Sequence, residues 1–285
     1  MTCREFADLD VDDRLVIPEL ARLGVTAEPV VWDEPSVDWD DYGLAVVRSA
    51  WDYVERRDEF LAWAASVPCL ANPAPVLAWN TDKRYLRDLE ADAPVVPTTW
   101  LEPGDHVELA GEGIVVIKPS VGAGSRDAGR FDLASAEREL AVKHVTRLLD
   151  RGETVMVQPY LDAVESEGET AMLFMAGEFS HAIGKEALLR GPDVAVDGLF
   201  RPESISARVP SAAELDVAAR VLEAARAFVP DVLYARVDVL PTVEGPVLLE
   251  LELSEPSLFL RHDPGAASRF AAAIGTHLDR VLKTR

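Results

Sequence analysis

The sequence reads as a mixed α/β (α+β) chain whose first third is half of an open α/β sheet. Three observations point there. Strand-like and helix-like patterns alternate through the first hundred residues. A glycine-rich loop, residues 120–125, follows directly on a strand of β-branched residues at 114–118. Two short acidic strands, 234–240 and 248–253, flank a turn bounded by Pro241 and Pro246.

Taken in order, residues 11–23 have helical spacing, 25–31 read as a strand, and 44–48 form a strand ending at Ser49. A helix spans 57–66, and a strand ends in Leu70-Ala-Asn-Pro. Asn80 or Thr81 can cap a helix running to about 91. Only residues 1–3 precede the first helix, so the first strand is either very short or missing. Residues 94–100 are extended, 135–150 helical, and 154–158 a strand stopped by Pro159. Two strands within 171–183 meet at Ala176-Gly177, a hairpin turn. Residues 186–210 read as a long irregular segment suited to a lid. A helix at 212–228 precedes the acidic hairpin, and another at 266–282 closes the chain.

At 285 residues and 48% hydrophobic content the chain can build two or three cored units. No apolar run reaches the roughly 20 residues of a membrane span, and the start has no signal-peptide core, which suggests a cytoplasmic protein. A net charge of −22 opposes binding to nucleic acid or anionic membrane. Cys3 and Cys69 give no disulfide framework or metal spacing. Only five lysines occur against 23 arginines, so each lysine is informative. Lys83, Lys118 and Lys185 all sit beside chemically suggestive segments.

The acidic hairpin is the most specific of these. Alternation puts Arg236 and Asp238 on one face of the first strand, and Glu250 and Glu252 on one face of the second. If the hairpin is symmetric about Glu244, Asp238 faces Glu250 and Arg236 faces Glu252. Opposed carboxylates repel; three of them with a single arginine call for a hard divalent cation with oxygen ligands, Mg²⁺ above all. Read alone, the same face would equally suit bulk water. In the loop Lys118-Pro-Ser-Val-Gly122-Ala-Gly124-Ser125, small residues let backbone N–H groups approach phosphate oxygens, with a lysine at the strand end. It is not a P-loop, in which the lysine follows the glycines. Lys83 opens a helix, where its charge is misplaced unless it reaches an anion. The strand ending in Gln158-Pro-Tyr160-Leu161 can act as a hinge offering backbone groups to a base edge, and Glu169 can accept from a ribose hydroxyl. Arg48 ends an N-terminal strand, the usual ligand edge of open α/β folds, and suits a carboxylate. His181 and Lys185 share one face of an extended segment and are further candidates for substrate contact.

In this order, Asp-Lys83, Val-Val-Ile-Lys118-Pro with its glycine-rich loop, Val-Gln158-Pro-Tyr-Leu, Gly-Glu169, Arg236-Val-Asp238 and Glu250-Leu-Glu252 resemble the ATP-grasp superfamily. Glu250-Leu-Glu-Leu-Ser-Glu-Pro256 is similar to its glutathione-synthetase-like branch, which has Asn where this chain has Glu252. Arg48-Ser-Ala-Trp-Asp-Tyr53, Trp79-Asn-Thr-Asp-Lys-Arg-Tyr85, Pro97-Thr-Thr-Trp100, Gly177-Glu-Phe-Ser-His-Ala182 and Glu255-Pro-Ser-Leu-Phe look like the cyclo-ligases that close the ring of D-cycloserine from O-ureido-serine. Ala171 stands where glutathione synthetases carry a basic residue, which argues against a glutathione-type substrate.

The resemblance implies an ATP-grasp fold: an N-terminal α/β domain at 1–97, then subdomains at 98–158 and 159–285 that sandwich ATP. It implies ATP binding by Lys83, Lys118, Gly122, Gly124, Ser125, Gln158, Tyr160, Leu161 and Glu169. Mg²⁺ would be held by Asp238, Glu250 and Glu252, and Arg236 would stabilise a tetrahedral intermediate. The implied activity is ADP-forming carboxylate–amine ligation through an acyl phosphate, on a small amino-acid-like substrate. A phosphotransferase on a hydroxyl substrate and a non-catalytic nucleotide-binding protein are the alternatives. Oligomeric state stays open, with a homodimer among the candidates.

Overall fold

The computed structural model describes residues 1–187, 204–229 and 231–284. Its N-terminal part is a small parallel sheet. Strand β1 (Ala45–Val46) pairs with β2 (Leu70–Ala71), and Thr2 bridges Val31 and Ser49, both in parallel. Thr2 thus stands beside these segments as a single bridging residue. Helix α1 is confined to Val16–Arg22, because Asp13–Leu15 takes the tighter 3-10 form. Helix α2 (Arg57–Ser66) falls where its spacing puts it. Residues 25–31, which pattern as a strand, contribute one bridge, at Val31, and no strand.

The stretch around Lys83 also differs from expectation. Asn80 ends a helix, α3 (Ala74–Asn80), and a turn carrying Lys83 leads into α4 (Tyr85–Leu89). Asn80 caps no helix because its amide is used across the molecule: Nδ2 donates to the Leu251 carbonyl (2.8 Å) and Oδ1 accepts from the Leu253 N–H (2.6 Å).

Two antiparallel sheets follow. The first contains β3 (Thr99–Leu101), β4 (Ile114–Pro119), β5 (Gly129–Asp132) and β6 (Val155–Pro159) in the order β3-β6-β4-β5. Helix α5 (Glu137–Asp150) covers one face, burying Val145 and Leu148 with Ile117, Phe131 and Val155. A short helix, α6 (Val164–Glu167), leads to the second sheet. This contains β7 (Glu169–Met175), β8 (Glu178–Lys185), β9 (Ile205–Arg208), β10 (Tyr234–Leu240) and β11 (Val247–Glu252), in the order β11-β10-β7-β8-β9. Ala176 and Gly177 both have positive φ (50° and 85°), the conformation a two-residue hairpin turn needs. Of the segment expected to be irregular, Ile205–Arg208 is β9; residues 188–203, where a lid was expected, lie outside the described residues.

Alternation along β10 sorts its side chains. Ala235, Val237 and Val239 pack under helix α7 (Ala212–Ala225), while Tyr234 packs on the opposite face with Phe270 of α8 (Ala266–Thr284). Arg236 and Asp238 share the Tyr234 face but lie beyond that apolar cluster, facing a cavity.

Candidate active site

The hairpin register is the symmetric one: Arg236 pairs with Glu252 and Asp238 with Glu250. Beyond Asp238 the register shifts, and Val239 pairs with Leu248. The extra residue, Leu249, is a β-bulge. It lines the cavity, while Leu248 turns into the core under α7. The Leu248 backbone bonds to Pro94 O (2.7 Å) and Val96 N (3.0 Å), so a neighbouring segment covers the end of this edge strand.

A cavity of about 440 Å³ opens between the two antiparallel sheets. Lys83, Lys118, Gly122, Gly124, Ser125, Gln158, Tyr160, Leu161 and Glu169 all line it. So do Lys185, Arg236, Asp238, Glu250 and Glu252. Gly124 and Ser125 hold positive φ (61° and 59°), which curls the loop beneath Lys118. The loop's far end is fixed to α5, since Asp127 accepts from Arg147 and Arg151 at 2.7 Å each.

The expectation that a single arginine faces the hairpin carboxylates does not hold, because β8 and the turn after α3 supply lysines. Lys83 Nζ donates to Gly122 O (2.6 Å) and lies 3.0 Å from Glu250. Lys185 bridges Glu169 (2.7 Å) and Asp238 (2.9 Å). Arg236 grips Asp238 through Nε and Nη2, both at 2.8 Å, and Nη2 also reaches Glu252. Burial would raise the Asp238 carboxyl, but Arg236 and Lys185 override it and hold it well below the carboxylate range. Glu250 is likewise held low against its burial by Lys83 and Lys118. Burial lowers Lys118, which has no carboxylate at ion-pair distance among the described residues. A half-buried lysine with no carboxylate at ion-pair distance suits an anionic ligand.

The oxygen-only donors Asp238, Glu250 and Glu252 match a hard cation, and the Glu250 and Glu252 side chains keep 22% and 24% exposure toward the cavity. As placed, these carboxylates are held by protein cations, and no group of three His, Cys, Asp or Glu among the described residues is set to hold a metal ion.

Two sequence candidates are not brought to the cavity. Arg48 is buried, with Nε on Asp13 (3.0 Å) and Nη2 on the Pro256 carbonyl (2.5 Å). His181 bonds Leu258 O and Ser180 Oγ, both at 2.9 Å. Both serve the segment after β11. Five consecutive carbonyls there each accept from a side chain: Ser254 from Tyr234, Glu255 from Trp51, Pro256 from Arg48, Ser257 from Arg236 and Leu258 from His181. An irregular segment has no ladder to satisfy its backbone, so these side chains do it. Sequence reasoning assigned no roles to the cavity residues Trp51, Tyr53, Glu255 and Phe259; their only signal was membership in Arg48-Ser-Ala-Trp-Asp-Tyr53 and Glu255-Pro-Ser-Leu-Phe.

The chain is similar to the cycloserine biosynthesis protein DcsG of Streptomyces lavendulae, with 36% identity over 290 residues covering 95% of each chain. The chain belongs to the DcsG family. Residues 1–72 match the model of the D-cycloserine synthetase DcsG N-terminal domain. The crystal structure of D-cycloserine synthetase DcsG superposes with a TM-score of 0.86 at 35% identity, covering 97% of this chain and 98% of that one. The ATP-grasp fold extends further, to D-alanine–D-alanine ligase of Bacillus anthracis complexed with ATP (TM-score 0.61, 12% identity, 97% and 96% covered). It also extends to a RimK domain ATP-grasp protein of Sphaerobacter thermophilus (TM-score 0.63, 17% identity, 94% and 96% covered). With membership of the DcsG family comes the enzyme class, an ATP-dependent C–N ligase. No described helix is long and apolar enough to cross a membrane.

Proposed function

We propose that this DcsG-family chain is an ADP-forming, Mg²⁺-dependent carboxylate–amine ligase that closes a ring within one small amino-acid-like molecule, as in D-cycloserine formation. The observation that carries this reading is the meeting of Lys83, Lys118 and Lys185 with Asp238, Glu250 and Glu252 in one cavity of a chain 36% identical to DcsG. A triphosphate supplies an anion for Lys118, which has no carboxylate at ion-pair distance among the described residues, and for Lys83 beside its pairing with Glu250, and the curled loop through Gly122, Gly124 and Ser125 offers N–H groups to its oxygens. Backbone groups between Gln158 and Leu161 that the sheet does not use suit the base edge, the Tyr160 N–H being taken by the Ile114 carbonyl (2.9 Å), and Glu169 suits a ribose hydroxyl. Asp238, Glu250 and Glu252 would hold Mg²⁺, which neutralises β- and γ-phosphate charge.

A substrate carboxylate oxygen attacks the γ-phosphorus, the bond to the bridging oxygen breaks, and ADP leaves. The substrate nitrogen then attacks the acyl carbon; phosphate departs with the C–O electron pair and the nitrogen loses a proton. Negative charge grows on the acyl oxygen in that step. Of the Arg236 nitrogens, Nη1 makes only a 3.4 Å contact, to Ser257 O, and is placed to receive that charge. An ATP requirement supports a cytoplasmic location. Incubation with ATP, Mg²⁺ and O-ureido-serine should release ADP and phosphate and form a cyclised product by mass spectrometry. Pyrophosphate release would remove the acyl-phosphate route, and turnover on alcohols with none on carboxylates would favour a phosphotransferase.

A further inference from the structure

We infer that the end of the cavity formed by Trp51, Tyr53 and Glu255 receives the ammonium group of the substrate, with the Glu255 carboxylate as its counter-charge. The inference rests on the ligase reading above and names the substrate feature that the site selects.

Four carboxylates that β7 and the hairpin bring to the cavity have cations of their own: Glu169 has Lys185, Asp238 has Lys185 and Arg236, Glu250 has Lys83, and Glu252 has Arg236. Glu255 has none within ion-pair distance among the described residues, Lys83 acting on it only from farther away, yet it is only 7% exposed and lines the same cavity. The Tyr53 hydroxyl lies close enough to favour its charged form. Burial pushes the Glu255 carboxyl up to about 8 because the charged form has no cation close beside it, and an ammonium group entering the cavity would supply one. The missing partner is a cation small enough to enter the cavity, and an amino acid carries one.

The group is also held in place. The Glu255 carbonyl accepts from the Trp51 indole N–H (3.0 Å), and its neighbours' carbonyls are fixed by Tyr234 and Arg48. The carboxylate thus comes from a segment with little freedom to collapse onto Lys83, and Trp51 and Tyr53 exclude water around it, which strengthens an ion pair. Arg236, the group placed for the acyl end, contacts Ser257, two residues further along the same segment. One segment therefore carries recognition of the amine and, through Arg236, of the carboxyl carbon. A hydroxy acid of the same size would leave Glu255 unpaired.

The test is calorimetric binding to the full chain with Mg²⁺ and a non-hydrolysable ATP analogue. The ligands are both enantiomers of serine and, as amine-free counterparts, both enantiomers of glycerate. One serine enantiomer should bind wild type at least about tenfold more tightly than its glycerate counterpart. Glu255→Gln should cut that preference to about twofold while still binding the ATP analogue, which shows that it folds. Tyr53→Phe should fall between. Equal binding of serine and glycerate to wild type, no serine binding, or a preference kept in Glu255→Gln would each overturn the inference. Phosphate release with O-ureido-serine, run in parallel, separates the two readings. Turnover with an intact preference in Glu255→Gln defeats only the ammonium site; a serine preference without turnover defeats only the ring-closing reaction.

Discussion

Asp238 and Glu250 stand directly opposite each other across the β10–β11 hairpin, and each is held by a lysine from elsewhere in the chain. Lys185 of β8 lies 2.9 Å from Asp238, and Lys83, from the turn between α3 and α4, lies 3.0 Å from Glu250. Two like charges in register would repel. Here the repulsion is offset by cations that reach the hairpin from separate segments, so the charge balance of the cavity depends on both at once.

Glu250→Gln tests this balance. The substitution keeps the shape but removes one counter-charge from Lys83 and one anionic oxygen from the proposed Mg²⁺ site. ATP turnover should fall at least about a hundredfold while the protein stays folded, as a cooperative unfolding transition shows. Turnover like that of wild type would sink the metal assignment.

Arg236→Lys separates charge from geometry. Arginine spans Asp238 and Glu252 with Nε and Nη2 while presenting Nη1 elsewhere; an ammonium cannot do both. We expect kcat to drop about 10²- to 10³-fold, with the ATP KM nearly unchanged. A rise in the ATP KM alone would instead make Arg236 a nucleotide ligand.

Much of this site is legible in the sequence because its elements obey simple alternation. The hairpin register follows from symmetry about Glu244, and the loop after Lys118 announces itself by small residues. What is not legible depends on long-range partners. Strict alternation would place Leu248 on the acidic face and Leu249 in the core; the bulge reverses both, and the Leu248 backbone, still paired with Val239, also bonds to Pro94 and Val96. Arg48 and His181 have the chemistry of ligand-binding residues, yet they satisfy the carbonyls of Pro256 and Leu258, more than seventy residues away in each case. Nothing local distinguishes an arginine that meets a substrate from one that meets a backbone oxygen. Asn80 looks like a cap for the same reason.

Asn72→Ala should expose how firmly the N-terminal part is tied to the hairpin. Asn72 is fully buried; Nδ2 donates to Tyr234 O (3.0 Å) and Leu253 O (2.7 Å), and Oδ1 accepts from Leu233 N (2.6 Å). Alanine leaves all three backbone groups unsatisfied, a loss of about 2–4 kcal/mol. That should lower the thermal midpoint by about 5–10 °C. A shift under about 2 °C would mean that water replaces the amide.

The tether of the glycine-rich loop carries a titratable group. His144 of α5 accepts at Nδ1 from Arg147 Nη2 (3.0 Å), so its Nε2 carries the proton and donates to the Asp127 carbonyl (2.9 Å). Burial pushes its pKa below 6.5, opposed by the Asp127 carbonyl and supported by the Arg147 charge; Asp127 and Arg151 are the other charges beside it. As pH falls through 6.5 the unfolded chain takes up a proton that the folded chain resists, so the stability contributed by neutral His144 is present above that pH and lost below it. His144→Gln can keep a donor for Asp127 but does not titrate. Measured by denaturant unfolding between pH 8 and pH 5, wild type should lose stability relative to the variant as pH falls. A stability difference that stays constant across that range would show that His144 contributes packing alone.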